Sequence, residues 1–171
     1  MVYRPEPWRL LHHRIQHASG PDTACGEDKW LVLARVYRPV ICDATWELPA
    51  GGADANESPV EAARRELSEE TGIQIVDLNR FQIRPPLVHM PRSPYLPFIF
   101  TVLLTEQEFE ERGIHDGEVQ EVGRLAFFEV LDKIVAGEIY VGLHIAAMMK
   151  FLLCHGTEAL RKWQPSCISA R

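Results

Sequence analysis

Gly51-Gly52-Ala53-Asp54-Ala55-Asn56-Glu57-Ser58-Pro59-Val60-Glu61-Ala62-Ala63-Arg64-Arg65-Glu66-Leu67-Ser68-Glu69-Glu70-Thr71-Gly72-Ile73 is the stretch on which the reading of this chain turns. Residues 58–71 carry a full set of helix-end signals. Ser58 stands at the N-cap, Pro59 at the first helical position, where its missing N–H costs nothing, and Glu61 completes an S-x-x-E capping box. Gly72 falls where a glycine ends a helix in the left-handed conformation. Val60, Ala63 and Leu67 recur at helical spacing and give a narrow stripe for the core. On the same helix Glu66, Glu69 and Glu70 stand at i, i+3 and i+4, so their carboxylates converge on one edge. Like charges at those spacings cost roughly 0.2–0.5 kcal/mol per pair. Alone, the helix fits either a solvated acidic face or one side of a cation site. For a cation, hard carboxylate oxygens suit Mg²⁺ or Mn²⁺ better than zinc. The preceding Gly51-Gly52 pair lets backbone approach a ligand closely.

Upstream, residues 30–37 are apolar and rich in strand formers, Pro39 ends the run, and 45–48 read as a short strand leading into Pro49-Ala50-Gly51. Downstream, 73–76, 81–83, 97–104 and 122–127 read as strands. Residues 128–136, stopped by Gly137, and 143–155, stopped by Gly156, read as helices. Strands and helices do not alternate regularly, which favours an α+β sandwich over a doubly wound sheet. No repeat or flexible linker divides the chain, so 1–171 is read as one domain with 1–28 as an N-terminal strand or arm, where Leu10-Leu11-His12-His13-Arg14-Ile15 is a strand candidate.

The bulk properties narrow the function classes. The chain has 171 residues, enough for one domain with a real core; it is 46% hydrophobic and 25% charged, as globular proteins are. Its formal charge of −6 argues against a nucleic-acid polymer as partner, because that binding needs a basic surface. A small polyanionic substrate then requires a metal or a few placed arginines to supply positive charge. The N-terminal residues lack the apolar core of an export signal, and the most apolar stretch, 143–154, contains Lys150 and is too short for a bilayer. No membrane association and a cytoplasmic location are therefore expected. Cys25, Cys42, Cys154 and Cys167 are scattered and read as free thiols. His12, His13, His17 and Cys25 match no standard zinc spacing. Met148, Met149, Phe151 and Leu152 read as core or dimer packing.

The decisive stretch, written Gly51-x5-Glu57-x7-Arg65-Glu66-Leu67-x-Glu69-Glu70-x-Gly72-Ile73, resembles the signature of the Nudix hydrolase superfamily, G-x5-E-x7-R-E-U-x-E-E-x-G-U with U aliphatic, at every specified position. At average residue usage, chance would produce such a match in a chain of this length less than about once in a million times. Tyr37-Arg38-Pro39, Trp46-Glu47-Leu48-Pro49-Ala50-Gly51 and Asp116-Gly117-Glu118-Val119-Gln120-Glu121-Val122 are similar to the ADP-ribose pyrophosphatase branch of that superfamily.

The resemblance implies a Nudix-type α/β/α sandwich with a mixed sheet. It also implies metal-dependent cleavage of a nucleoside diphosphate derivative, ADP-ribose or another nucleotide sugar, with Mg²⁺ or Mn²⁺ as cofactor. NADH, a dinucleoside polyphosphate, or a nucleotide-sensing module without catalysis are the alternatives. By the same similarity Ala50, Glu66, Glu69, Glu70 and Glu118 are expected around metal. Glu118 is the expected base, with Glu121 and Glu69 as alternatives. Arg38, Glu47 and Gly52 are expected at the substrate, and Arg65 is expected to orient a box glutamate. A homodimer is implied too, with Trp8 as a candidate to stack on the base.

Overall fold

The structure, a computed structural model, describes residues 30–87 and 96–155. The arm at 1–28, with Trp8 and His12, His13, His17 and Cys25, lies outside the described residues, as does the tail after 155. Among the described residues there are five strands: β1 Trp30–Arg38, β2 Asp43–Glu47, β3 Gln82–Arg84, β4 Ile99–Thr101 and β5 Val119–Ala126. Four helices accompany them: α1 Pro59–Thr71, α2 Glu106–Glu110, α3 Phe127–Ala136 and α4 Gly142–His155.

β1 is the centre of a three-stranded sheet of order β2-β1-β5, and β3 pairs with β4 in a separate ribbon. Successive side chains of a strand point to opposite faces, and β1 uses both. Leu31 and Leu33 pack with Trp46, Val130, Ile139 and Met148. Val32 packs on the other side with Leu67, Ile73, Ile75, Phe81 and Phe109. The sheet is thus covered by α3 and α4 on one face and by α1 on the other, the α+β sandwich expected. One detail differs: among the described residues every strand pairing is antiparallel, so the mixed sheet is not seen.

The α1 helix forms where its end signals place it. Ser58 is the N-cap with both halves of the capping box made, and Gly72 ends the helix at φ 73°. Glycine is required there twice over, because an added Cβ would also lie 2.2 Å from the Gly113 carbonyl oxygen. Residues 73–76 differ from expectation. Ile73 and Ile75 alternate and are buried, but they meet no partner strand and run as an irregular extended segment. Between β4 and β5 lies α2, a helix with no counterpart in the sequence reading, although its Thr105–Glu108 capping box has a legible T-x-x-E spacing. The last strand starts three residues earlier than expected, and its pairing slips between Arg35 and Val36, so that Glu121 faces Arg35 while Val119 faces Val36. Such a bulge redirects the chain at the strand end nearest Glu118. The apolar set on the last helix is core: Met148 and Leu152 are buried, with Met149 and Phe151 packed beside them.

Candidate active site

Three elements meet at the site: the N-terminal loop and outer edge of α1, the segment leaving β2, and the loop before β5. Glu47 ends β2, and Leu48, Pro49 and Ala50 carry the chain to the glycine pair. Ala50 donates its backbone N–H to Glu70 Oε2 at 3.2 Å, tying this segment to α1.

Arg65 organises the carboxylates. Its Nε donates to Glu57 Oε1 at 3.0 Å and its Nη2 to Glu57 Oε2 at 3.0 Å and to the Gly52 carbonyl at 2.7 Å. Its Nη1 donates to both Glu66 Oε1, at 2.8 Å, and Glu69 Oε2, at 2.9 Å. The guanidinium therefore holds the glycine loop against the helix and offsets two of the three clustered charges. These bonds keep Arg65 protonated at any ordinary pH and draw the Glu57 carboxyl below its usual range. Gly51 is essential to this packing, since a Cβ there would sit 2.0 Å from Glu66 Oε1.

Glu70 is the carboxylate without an arginine. Burial, together with the charges of Glu66, Asp116 and Glu47, pushes its pKa up to about 7, against the opposing pull of the Ala50 N–H. A half-buried acid facing like charges is the electrostatic condition that a divalent cation relieves. The Ala50 carbonyl and the carboxylates of Glu66, Glu69 and Glu70 are the hard oxygen donors such an ion takes. Among the described residues no three such side chains stand as a finished cation site. Glu66 and Glu69 are held by one Arg65 nitrogen, each through a single carboxylate oxygen.

The loop at 112–118, which carries Glu118, is pinned to α1 at two points. Gly113 N–H donates to the Gly72 carbonyl at 2.8 Å and Asp116 N–H to the Glu69 carbonyl at 2.7 Å. Asp116 Oδ1 in turn accepts from the backbone N–H of Glu118 at 3.0 Å. Glu118 and Glu121 are both exposed, Glu118 in the loop and Glu121 within β5 opposite Arg35.

Arg38 and Glu47, expected at the substrate, form a bidentate pair: Nε to Oε1 at 2.8 Å and Nη2 to Oε2 at 2.5 Å. Glu47 is 1% exposed, whereas Arg38 keeps 46% of its side chain exposed, so of the two Arg38 presents the open face. The Glu47 hydrogen bond, with smaller help from the charges of Glu70 and Glu118, raises the Arg38 pKa. The residue missed in the sequence is His144, whose Nε2 is 3.2 Å from Glu47 Oε2. A lone imidazole in the otherwise apolar stretch 143–149 was the available signal.

With this geometry in hand, comparison with known proteins decides the family. The NUDIX domain model matches residues 23–140, more than half of the chain. The chain belongs to the NUDIX family. Within it, the chain is 64% identical over 33 residues to an RNA pyrophosphohydrolase of Bartonella henselae, covering 19% of each protein. A Rhizobium meliloti RNA pyrophosphohydrolase gives 61% over 33 residues, 19% of this chain and 20% of that protein. Phosphatase NudJ of Escherichia coli is 36% identical over 80 residues, 47% of this chain and 50% of that protein. This chain spans from about a fifth to a half of the length of these curated relatives. Among the described residues, no helix is long and apolar enough to cross a membrane, and Cys42 and Cys154 are free and exposed.

Proposed function

We propose that this NUDIX chain is a divalent-metal-dependent pyrophosphohydrolase that splits a nucleoside diphosphate sugar, ADP-ribose in the first instance, into a nucleoside monophosphate and a sugar phosphate. The observation that carries the reading is Glu70, half-buried, bonded to Ala50 and, among the described residues, in no ion pair, with like charges around it. Ala50, Glu66 and Glu70 would hold Mg²⁺ or Mn²⁺, and Glu69 a share of a second ion. When bound, the cation supplies the positive charge that a diphosphate needs in this acidic site and acidifies the attacking water.

The protein's own groups do the rest. Arg38, fixed by Glu47, offers its free edge to a phosphate oxygen. Arg65 orients Glu66 and Glu69 and holds the glycine loop. Glu118, the loop carboxylate engaged in no ion pair with α1, takes the proton of the attacking water. A homodimer fits the large apolar side chains left on α3 and α4, Phe128, Val135 and Leu153. Sedimentation at micromolar concentration tests that part, and a monomer would refute it.

The test of the activity is a phosphatase-coupled phosphate-release screen with Mg²⁺. Its panel is ADP-ribose, other nucleoside diphosphate sugars, NADH, dinucleoside polyphosphates and 5′-triphosphorylated RNA. ADP-ribose or another nucleotide sugar should lead, and turnover should vanish in excess EDTA. Turnover unaffected by chelator, or RNA as the preferred substrate, would overturn the proposal.

A further inference from the structure

The segment Glu47-Leu48-Pro49-Ala50 is strapped at both ends. At one end Ala50 is bonded to Glu70 on α1. At the other, Leu48 N–H donates to His144 Nδ1 on α4 at 3.0 Å. Because Nδ1 accepts that bond, a neutral imidazole carries its proton on Nε2, which faces Glu47 Oε2 at 3.2 Å. The ring is well enclosed, with 11% of the side chain exposed, and burial lowers its pKa, so the neutral form prevails. One side chain thus holds the strap by its backbone and stands against its carboxylate.

The consequence passes to Arg38. Both Glu47 oxygens receive Arg38, and His144 Nε2 stands 3.2 Å from Oε2. A buried carboxylate that loses the polar group beside it gains freedom to turn, and a bidentate guanidinium turns with it. Resting on the function proposed above, we infer that His144 is a positioning residue. It fixes Glu47, sets Arg38 in the pose that receives a phosphate oxygen, and steadies the strap that ends at Ala50. His144 itself touches no reacting atom.

Two amide substitutions separate its bonds. His144→Asn keeps an acceptor for Leu48 N–H but loses the nitrogen that stands beside Glu47, whereas His144→Gln reaches Glu47 but gives up the Nδ1 position. Supporting partners of this kind are worth about 10–100-fold. His144→Asn should therefore raise KM by roughly that factor with kcat little changed, and His144→Gln should recover most of it. Binding of the nonhydrolysable diphosphate methylenediphosphonate with Mg²⁺, followed by calorimetry, gives a readout independent of turnover. There Arg38→Ala and His144→Asn should each weaken binding, and the double variant should lose far less than the product of the two.

Independent, multiplicative losses would overturn the inference. So would wild-type kinetics in His144→Asn, a wild type that does not bind the diphosphonate, or loss of binding in both amide variants in step with their melting temperatures. If no nucleotide sugar is hydrolysed while the Arg38–His144 coupling persists in diphosphonate binding, the proposed substrate fails and the role of His144 stands.

Discussion

The two ends of the strap between β2 and α1 hold their charges in opposite ways. At the α1 end, Arg65 shares its nitrogens among Glu57, Glu66, Glu69 and the Gly52 carbonyl, at a surface where Glu69 is exposed. At the α4 end, Glu47 is sealed from solvent between Arg38 and His144. Ion pairs near water are worth little and exchange readily, whereas breaking one partner of a buried pair leaves a charge with no way to be solvated. On the function proposed above, the first arrangement would open to let a cation in among the glutamates. The second, sealed from solvent, would serve as the fixed mount for an arginine that receives a phosphate oxygen.

The sharpest way to break this contrast is at the proposed base, outside both ends. Glu118→Gln should lower kcat by about 10²–10⁴-fold with KM nearly constant, while Glu121→Gln, held in β5, stays close to wild type. A collapse in Glu69→Gln with Glu118→Gln unaffected would move the base into α1.

A smaller effect is expected at Gly51. An added methyl meets only the carboxylate tip of Glu66, a flexible group, so the fold and melting temperature should survive Gly51→Ala. Displacing that carboxylate by an ångström or more should still cost about 10²-fold in kcat/KM. An active Gly51→Ala enzyme would show that Glu66 needs no fixed place.

Smallest is the pH response of Glu70. Its pKa in the folded protein, about 7, lies above the ordinary carboxylate value of 4.5, so the folded metal-free state favours the protonated acid. The stabilisation this gives is full below about 4.5 and is lost as pH rises through about 7. Metal-free Glu70→Gln should therefore melt higher than wild type at pH 8 and no higher at pH 4.5. Because a ligating carboxylate must shed its proton, apparent Mg²⁺ affinity should climb by at most about tenfold per pH unit below 7 and level off above. A flat metal affinity between pH 5.5 and 8, measured by titration calorimetry, would show that Glu70 does not ligate.

How much of this could be read from the chain alone follows from how local each signal is. The α1 helix, its caps, the convergence of Glu66, Glu69 and Glu70 and the partnership of Arg65 with its own helix lie within a couple of turns of one helix and its entry loop. Fixed periodicity makes such neighbours calculable from spacing. The central strand was legible for the same reason, since its apolar run is long and ends at Pro39. Short alternating runs such as 73–76 were not, because alternation shows burial but not whether a partner strand lies alongside.

The sequence by itself therefore determined the family, the carboxylate helix and the glycine loop that faces it. Only the tertiary structure decided that Glu47 is buried rather than open to substrate, that the loop before β5 is tied to α1, and that His144 holds the strap from 96 residues away. Those contacts join elements far apart in the chain, and no local spacing encodes the packing of one helix against the end of one strand.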